Sequence, residues 1–187
     1  MKLKLTIFVV LLFVSGSLNI VQGQCDDTIR PYVTGDVGER LLRITELHAK
    51  GKQAISLLLD EISDSQEAPV KLGNPFLSNR PFESPTYCGS IAAYLIELVL
   101  ARNNLSLRAF RDYSDSLLQG VPEDYIFPLG YIVDKHSGKP INKRILSQVS
   151  RLYKIWWENN ANRNIELLRG DWMKGKGPLA GSDYEWR

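Results

Sequence analysis

Cys88 is the residue in this sequence best placed for covalent chemistry, because it precedes Gly89 and a long apolar stretch that predicts a helix. The unpaired N–H groups at a helix N-terminus stabilise a thiolate and so lower the pKa of a cysteine thiol. His136, one of only two histidines, follows 48 residues later and could serve as the base. Cys88 and His136 therefore form a candidate nucleophile–base pair.

The order of these two residues is similar to that in papain-like and peptidoglycan-peptidase folds, in which the nucleophilic cysteine opens a helix and the histidine lies downstream. The resemblance implies a cysteine amidase or peptidase that uses Cys88 and His136. Two features depart from the pattern. His136 falls in the predicted turn Lys-His-Ser-Gly rather than inside a strand, and the chain lacks a convincing multi-stranded sheet to carry the base.

A second cysteine, Cys25, offers Cys88 a structural role instead. A single pair of cysteines in an oxidising compartment most simply forms one disulfide. Closing a loop of about 63 residues is worth roughly 4 kcal/mol in the chain-entropy description. We therefore expect a Cys25–Cys88 disulfide, which would remove the thiolate that the enzyme interpretation requires.

The first 23 residues predict the compartment. Lys2 and Lys4 precede an apolar run over 5–14, and small and polar residues follow as far as Gly23. This order is typical of a secretory signal peptide, here cleaved after Gly23. The apolar run of about 10 residues is too short to cross a bilayer, which needs roughly 20. We expect a periplasmic or secreted protein with one helical domain over 24–187.

The charge balance gives no net attraction to a polyanion. The chain has 23 Lys and Arg against 21 Asp and Glu, and Lys2 and Lys4 are the only charged residues of the predicted signal peptide. The remaining 24–187 segment therefore has 21 charges of each sign. Nucleic acids and anionic membranes both favour concentrated positive charge. We accordingly expect a protein partner, and neither nucleic acid nor membrane after signal cleavage.

Apolar periodicity predicts a mostly α fold. The predicted helices are 36–50, 52–63, 86–102 and 143–159, with a weaker segment at 104–120 and a short helix at 165–169. Asp36, Asn142 and Asn164 are predicted N-caps. The 86–102 helix is apolar on nearly every side, which predicts a central position, and Glu97 within it needs Arg102 or a hydroxyl group as its partner.

Residues 46–64 resemble part of a HEAT-like repeat. They contain Gly51, the adjacent Ala54 and Ile55, spaced leucines and a terminal Asp64. Glycine permits a tight turn between helices, and the small alanine lets a neighbouring helix approach. The resemblance implies stacked helix pairs, which form extended surfaces for protein recognition.

The C-terminal third predicts a small β-hairpin and an aromatic tail. Residues 130–133 predict a strand, 134–139 a turn, and Pro140 the start of a very short second strand. The glycine-rich tail carries tryptophan and tyrosine, unlike a flexible linker, so we expect it to fold onto the body. Segments 156–160, 168–172 and 178–186 together look like the end of uncharacterised exported bacterial proteins, a likeness that implies no activity.

Contact surfaces are predicted in the proline-rich loop 66–86 and in the tail, since loops commonly carry function. The candidate binding residues are Asn79, Arg80, Phe82, Tyr87 and Trp186. Internal packing or a solvated loop is the competing interpretation for each of them.

No metal or cofactor is predicted. His48 and His136 have no closely spaced partner ligands, and Asp171, Asp183 and Glu185 do not form a calcium loop. The sequence favours a non-catalytic protein-binding module, such as an inhibitor or immunity-type protein of an envelope enzyme. The alternative is the Cys88/His136 amidase or peptidase.

Overall fold

The computed structural model describes residues 25–72, 85–101, 125–126 and 131–186, and these residues are mostly helical. The helices are α1 Arg30–Val33, α2 Val37–Lys50, α3 Lys52–Leu58, α4 Cys88–Leu100, α5 Leu146–Asn160 and α6 Ile165–Trp172, with a 3-10 turn at Glu61–Ser63. Strand β1 Lys71–Leu72 pairs in parallel with β2 Tyr125–Ile126, and β3 Ile132–Asp134 pairs antiparallel with β4 Tyr184–Trp186. The predicted mostly α class with a small hairpin is confirmed.

Three predicted segments lie wholly or partly outside the described residues. They are the signal peptide of 1–23, the weaker helix of 104–120 and the 73–84 part of the proline-rich loop. Within the described residues, no helix combines the length and the apolar character that a membrane span requires.

The predicted caps explain where two helices begin. The Asp36 side chain accepts a hydrogen bond from the Glu39 N–H at 2.8 Å, and the Asn164 side chain accepts one from the Glu166 N–H at 2.7 Å. Each cap satisfies an N–H group that the first helical turn leaves unpaired.

The predicted cap at Asn142 is wrong. Its side chain accepts from the Arg144 N–H at 2.9 Å, so it closes a local turn, and α5 begins only at Leu146. The preference of asparagine for such turns competes with capping. The short helix α1 precedes α2, and Pro31 is compatible with its first turn because the N–H that proline lacks would be unpaired there.

Gly51 joins α2 to α3 without any further linking residue. Its φ of 56° lies in the left-handed region that favours glycine. A Cβ at this position would lie 3.6 Å from Ile165 on α6, so the turn also fits against that helix. The predicted turn is present, although α3 is shorter than the predicted 52–63 helix and ends at Leu58. The HEAT-like resemblance of this helix pair stays a prediction.

Helix α4 is the centre of the hydrophobic core. Every residue of α4 is buried except Glu97 and Leu98, which are half-buried. The helix contacts α2, α3, the 3-10 turn, α5 and α6. Full burial of a leucine or isoleucine side chain contributes about 1.5–3 kcal/mol, so this helix supplies a large part of the hydrophobic stabilisation. The predicted central position is confirmed.

The N-terminus of α4 packs directly on the backbone that follows α3. The Cys88 N–H donates to the Gln66 carbonyl and the Gly89 N–H to the Asp64 carbonyl, both at 2.9 Å. A Cβ on Gly89 would lie 2.8 Å from the Asp64 carbonyl oxygen and closer still to that of Ile62. Only glycine therefore permits this approach of helix to backbone.

The C-terminal ends of α2 and α4 meet at Arg169 of α6. Arg169 Nε donates to the Val99 carbonyl at 3.1 Å, and Nη2 donates to the His48 carbonyl at 3.2 Å. The His48 Nε2 lies 3.0 Å from the Ala101 carbonyl oxygen and donates to it. These donors bind carbonyls at the C-terminal ends of α2 and α4, where helices leave acceptors without a full set of internal partners. His48 is thus a packing residue of the α2–α4–α6 junction.

The small hairpin gains a third segment. Val133 forms a bridge with Pro140, and the Asp134 N–H donates to the Lys139 carbonyl at 3.0 Å, as the predicted hairpin requires. The tail supplies β4 along the other edge of β3, with Val133 opposite Glu185. The prediction that the tail folds onto the body is confirmed.

The glycine contact at α4 gives a stability prediction. Replacing Gly89 by alanine forces the backbone to shift, and we expect a loss of about 1–3 kcal/mol in the free energy of unfolding. A methyl group on Gly170, inside α6, would have no neighbouring atom within 4 Å, so Gly170→Ala should stabilise by about 0.5–1 kcal/mol. Urea unfolding of both variants checks this, and equal effects would contradict the packing of α4.

Candidate functional site

The first candidate site, at the N-terminus of α4, contains a disulfide. The Cys25 and Cys88 sulfurs are bonded, and both residues are almost completely buried, at 1% and 0% exposure. The chain has no other cysteine. The expected disulfide is therefore present, and in this state Cys88 has no thiolate with which to attack a substrate.

The surroundings of Cys88 do not resemble a nucleophile site. The first N–H groups of α4, those of Cys88 and Gly89, already donate to backbone carbonyls and are not available to an oxyanion. The predicted base, His136, lies on the hairpin turn with 80% of its side chain exposed. Its Nε2 lies 3.4 Å from Asp183 Oδ1 of the tail. The structure thus gives each member of the predicted pair a different partner.

The second candidate site, nine residues further along α4, is the carboxylate of Glu97. Its Oε1 accepts a hydrogen bond from the Tyr153 hydroxyl of α5, and its Oε2 accepts one from Trp172 Nε1 of α6. Trp186 of β4 extends the network, because its Nε1 donates to the Tyr153 hydroxyl at 3.0 Å. One carboxylate thus connects α4 to α5, α6 and the C-terminal tail.

The electrostatics of this Glu97 cluster (Glu97, Tyr153, Trp172 and Trp186) are set by burial. Burial disfavours the charged form and raises the pKa of Glu97, although the hydrogen bonds donated by Tyr153 and Trp172, and the nearby Trp186 N–H, oppose this rise. Burial and the adjacent carboxylate also raise the pKa of Tyr153 well above its ordinary value. Among the described residues, no lysine or arginine forms an ion pair with Glu97.

The sequence predicted a hydroxyl group or Arg102 as the partner of Glu97. The Tyr153 hydroxyl fulfils the first prediction, and Arg102 lies outside the described residues. The two tryptophans were missed, because nothing in local periodicity shows which aromatic ring reaches a distant carboxylate. The available signal was the tail itself, whose tryptophans indicated that it packs on the body.

The tail closes over the Glu97 cluster with little space. A Cβ on Gly177 would lie 2.9 Å from Trp172 Cδ1 and 4.0 Å from Glu97 Oε2. The rings of Trp186 and Tyr94 are 5.9 Å apart, within the range of favourable aromatic pairs. The glycine-rich composition of the tail therefore allows it to pass close to the indole ring.

This geometry suits Glu97 to a structural role. A general acid must reach a proton on its substrate, either directly or through one water molecule. Here both carboxylate oxygens accept hydrogen bonds from protein donors on neighbouring helices. The cluster acts as a polar latch that fixes α5, α6 and β4 relative to α4.

The predicted binding residues are not brought together. Asn79, Arg80 and Phe82 lie outside the described residues. Tyr87 is buried, and its backbone forms a bridge with Glu67. Trp186 is half-buried and belongs to the Glu97 cluster. Internal packing accounts for the positions of Tyr87 and Trp186.

Two further observations bear on the site. Among the residues that the structure describes, no group of three or more His, Cys, Asp and Glu side chains is arranged to hold a metal ion. No family model, curated protein or solved structure matches the chain. The sequence and the geometry of this chain are therefore the grounds for its function.

The raised pKa of Glu97 gives a pH-dependent prediction. A glutamate whose pKa is higher in the folded than in the unfolded state stabilises the fold at low pH, and that contribution is lost as the pH rises through the folded pKa. Glu97→Gln can keep both contacts, since its amide oxygen can accept from Trp172 Nε1 and its amide NH2 group can donate to the Tyr153 hydroxyl oxygen. The free energy of unfolding of the natural chain minus that of Glu97→Gln should therefore decrease as the pH rises.

This difference in unfolding free energy should begin to decrease near the ordinary glutamate pKa of about 4.3. The total decrease should be about 1.4 kcal/mol for each pH unit that separates the pKa of Glu97 in the folded state from its pKa in the unfolded state. Urea unfolding at several pH values measures it. Asp26, Asp134 and Asp171, whose pKa values are lowered, act in the opposite direction but equally in both proteins. A difference that does not change with pH would refute the burial of the Glu97 carboxylate.

The Glu97 cluster also predicts that a Trp→Phe substitution lowers the free energy of unfolding by different amounts at Trp172 and at Trp156. Trp172→Phe removes a donor from a buried carboxylate and should cost about 1–3 kcal/mol of unfolding free energy. Trp156→Phe removes a donor to the Lys176 carbonyl, a 3.2 Å bond at an exposed site, and should cost less than about 1 kcal/mol. Thermal or urea unfolding compares the two, and an equal or reversed order would contradict the latch.

Proposed function

We propose that this chain is an exported, non-catalytic protein-binding module that works in the periplasm or outside the cell. Its specific role would be that of an inhibitor or immunity-type protein directed at an envelope enzyme. The observation that carries the proposal is the buried Cys25–Cys88 disulfide, since it bears on both the compartment and the chemistry.

The disulfide supports export because such bonds persist in oxidising compartments and are rare in the reducing cytosol. It agrees with the signal-like order of the first 23 residues, in which two lysines precede a short apolar run. Cleavage after Gly23 would leave Cys25 as the second residue of the mature chain. The disulfide would then hold the new N-terminus against α4.

The same bond weighs against the amidase or peptidase alternative. That chemistry needs Cys88 as a thiolate beside a base, whereas Cys88 is oxidised and buried and His136 contacts Asp183. Reduction would be required before any attack on a substrate, and the N–H groups of Cys88 and Gly89 would still be occupied by carbonyls.

Preorganisation supports the binding interpretation. Binding to a surface that is already fixed by covalent and polar contacts costs less conformational entropy than binding that must first order flexible segments. The disulfide fixes the start of α4, and the Glu97 cluster fixes α5, α6 and the tail against the same helix.

The test combines capture with thiol chemistry. The chain, exported with its own first 23 residues and treated with iodoacetamide without reductant, should carry no alkyl group and should still capture a protein from the envelope fraction after chemical crosslinking. The same preparation should release no product from peptidoglycan stem peptides. Alkylation of Cys88 together with stem-peptide hydrolysis that the reagent abolishes would overturn the proposal in favour of the enzyme, and failure to capture any protein would refute the binding role.

A further inference from the structure

The balanced net charge conceals a strongly one-sided stretch of the chain. From Lys135 to Lys154 the sequence has six lysines and arginines and no aspartate or glutamate. Four of these cations are exposed and lie between the two ends of the stretch, and we call them the basic face: Lys139, Lys143, Arg144 and Arg151. Within the described part of the chain, none of the four forms an ion pair.

Many other cations of the described structure are used internally. Lys135 Nζ donates to the Ser182 carbonyl at 2.6 Å, and Lys154 pairs with Asp60 at 2.7 Å. Among the described arginines, Arg30, Arg43, Arg163 and Arg169 each have a carboxylate within 4 Å. The basic face, by contrast, groups four cations without a carboxylate partner between the hairpin turn and the first half of α5.

The fold holds this stretch in place. Arg144 lies in the turn that leads into α5, and Arg151 lies on α5 itself, in the second turn of the helix. The segment 139–141, which precedes this turn, is attached to β3 because the Ile141 N–H donates to the Ile132 carbonyl at 2.9 Å. The Tyr184 hydroxyl of β4 donates to the Gln148 side chain of α5 at 2.6 Å, so sheet and helix are linked.

The side of α5 that carries Arg151 has mixed chemistry. Ser147 and Ile155, four residues before and after Arg151, are exposed on the same side, and Ile155 is 45% exposed. Glu158, seven residues after Arg151, returns an exposed negative charge to that side. Tyr153 is buried on the opposite side. Along this side of α5, positive charge is thus followed by an exposed apolar side chain and then by a carboxylate.

We propose that the basic face is the docking surface for an acidic surface on the protein partner, an inference that rests on the proposed binding function. Arginine guanidinium groups bind carboxylates through two parallel hydrogen bonds, and arginine is enriched in protein interfaces. Exposed Ile155 supplies the apolar contact that such interfaces place beside their charged groups. Glu158 would repel a phosphate-rich membrane or nucleic acid but can pair with a cation on a protein partner.

The test compares two charge reversals of equal size. Arg144→Glu with Arg151→Glu alters the basic face, and Lys50→Glu with Lys174→Glu alters exposed lysines elsewhere. Thermal unfolding first shows that both variants are folded. Fluorescence anisotropy then measures the binding of a labelled poly-glutamate peptide at low salt, with phosphatidylglycerol vesicles and duplex DNA as parallel probes.

We expect the natural chain and the lysine variant to bind the peptide alike, and the arginine variant to bind at least about tenfold more weakly. Added salt should weaken the binding. Equal binding by both variants, absence of peptide binding, or binding of vesicles or DNA as tight as that of the peptide would each overturn the proposal.

The outcomes separate this inference from the proposed function. If envelope capture succeeds and the Arg144/Arg151 reversal leaves it intact, the binding function stands and the basic face is refuted. If capture fails although the peptide binds through both arginines, the proposed function is refuted and the acidic-ligand surface stands.

Discussion

Helix α4 is anchored at three points, and the elements around it take their positions from those anchors. The helix is buried along almost its whole length, so every neighbouring element must be fixed against it. Its start is held by the Cys25–Cys88 disulfide, its C-terminal half by the Glu97 cluster, and its last turn by Arg169, which donates to the Val99 carbonyl. The disulfide stabilises the fold by roughly 4 kcal/mol in the chain-entropy description. That is a large fraction of the 5–15 kcal/mol free energy of unfolding of a typical domain.

The anchors differ in what they contribute. The disulfide restricts the unfolded chain, whereas burial of Glu97 costs free energy that the aromatic donors offset. An apolar residue at position 97 would avoid that cost but would leave Tyr153 and Trp172 without their acceptor. The carboxylate therefore specifies the positions of its neighbours more than it adds to stability.

Local features of the sequence predicted most of the fold. The caps at Asp36 and Asn164 and the turn at Gly51 depend on single residues and their immediate neighbours, and all three are present. The burial of α4 followed from its composition, and the disulfide followed from a single pair of cysteines. These properties need no knowledge of distant contacts.

Features that depend on distant contacts were only partly predicted. The pairing of β4 with β3 joins residues about 50 positions apart, and neither strand shows in its own pattern which partner it has. The same limit applies to Trp172 and Glu97, and to Cys88, whose helix position suits either a nucleophile or a disulfide until its partner is seen. The basic face was hidden because a net charge averages over a chain whose charges are segregated.

If the N-terminus of α4 is a structural anchor rather than a reactive centre, Cys25 and Cys88 must be linked in the exported protein. Peptide mapping by mass spectrometry, with free thiols blocked at lysis and without reduction, measures this on protein isolated from the exported fraction. We expect a disulfide-linked pair of peptides that contain Cys25 and Cys88, with no blocked form of either cysteine. Recovery of Cys88 chiefly as a blocked free thiol would show that the anchor is absent.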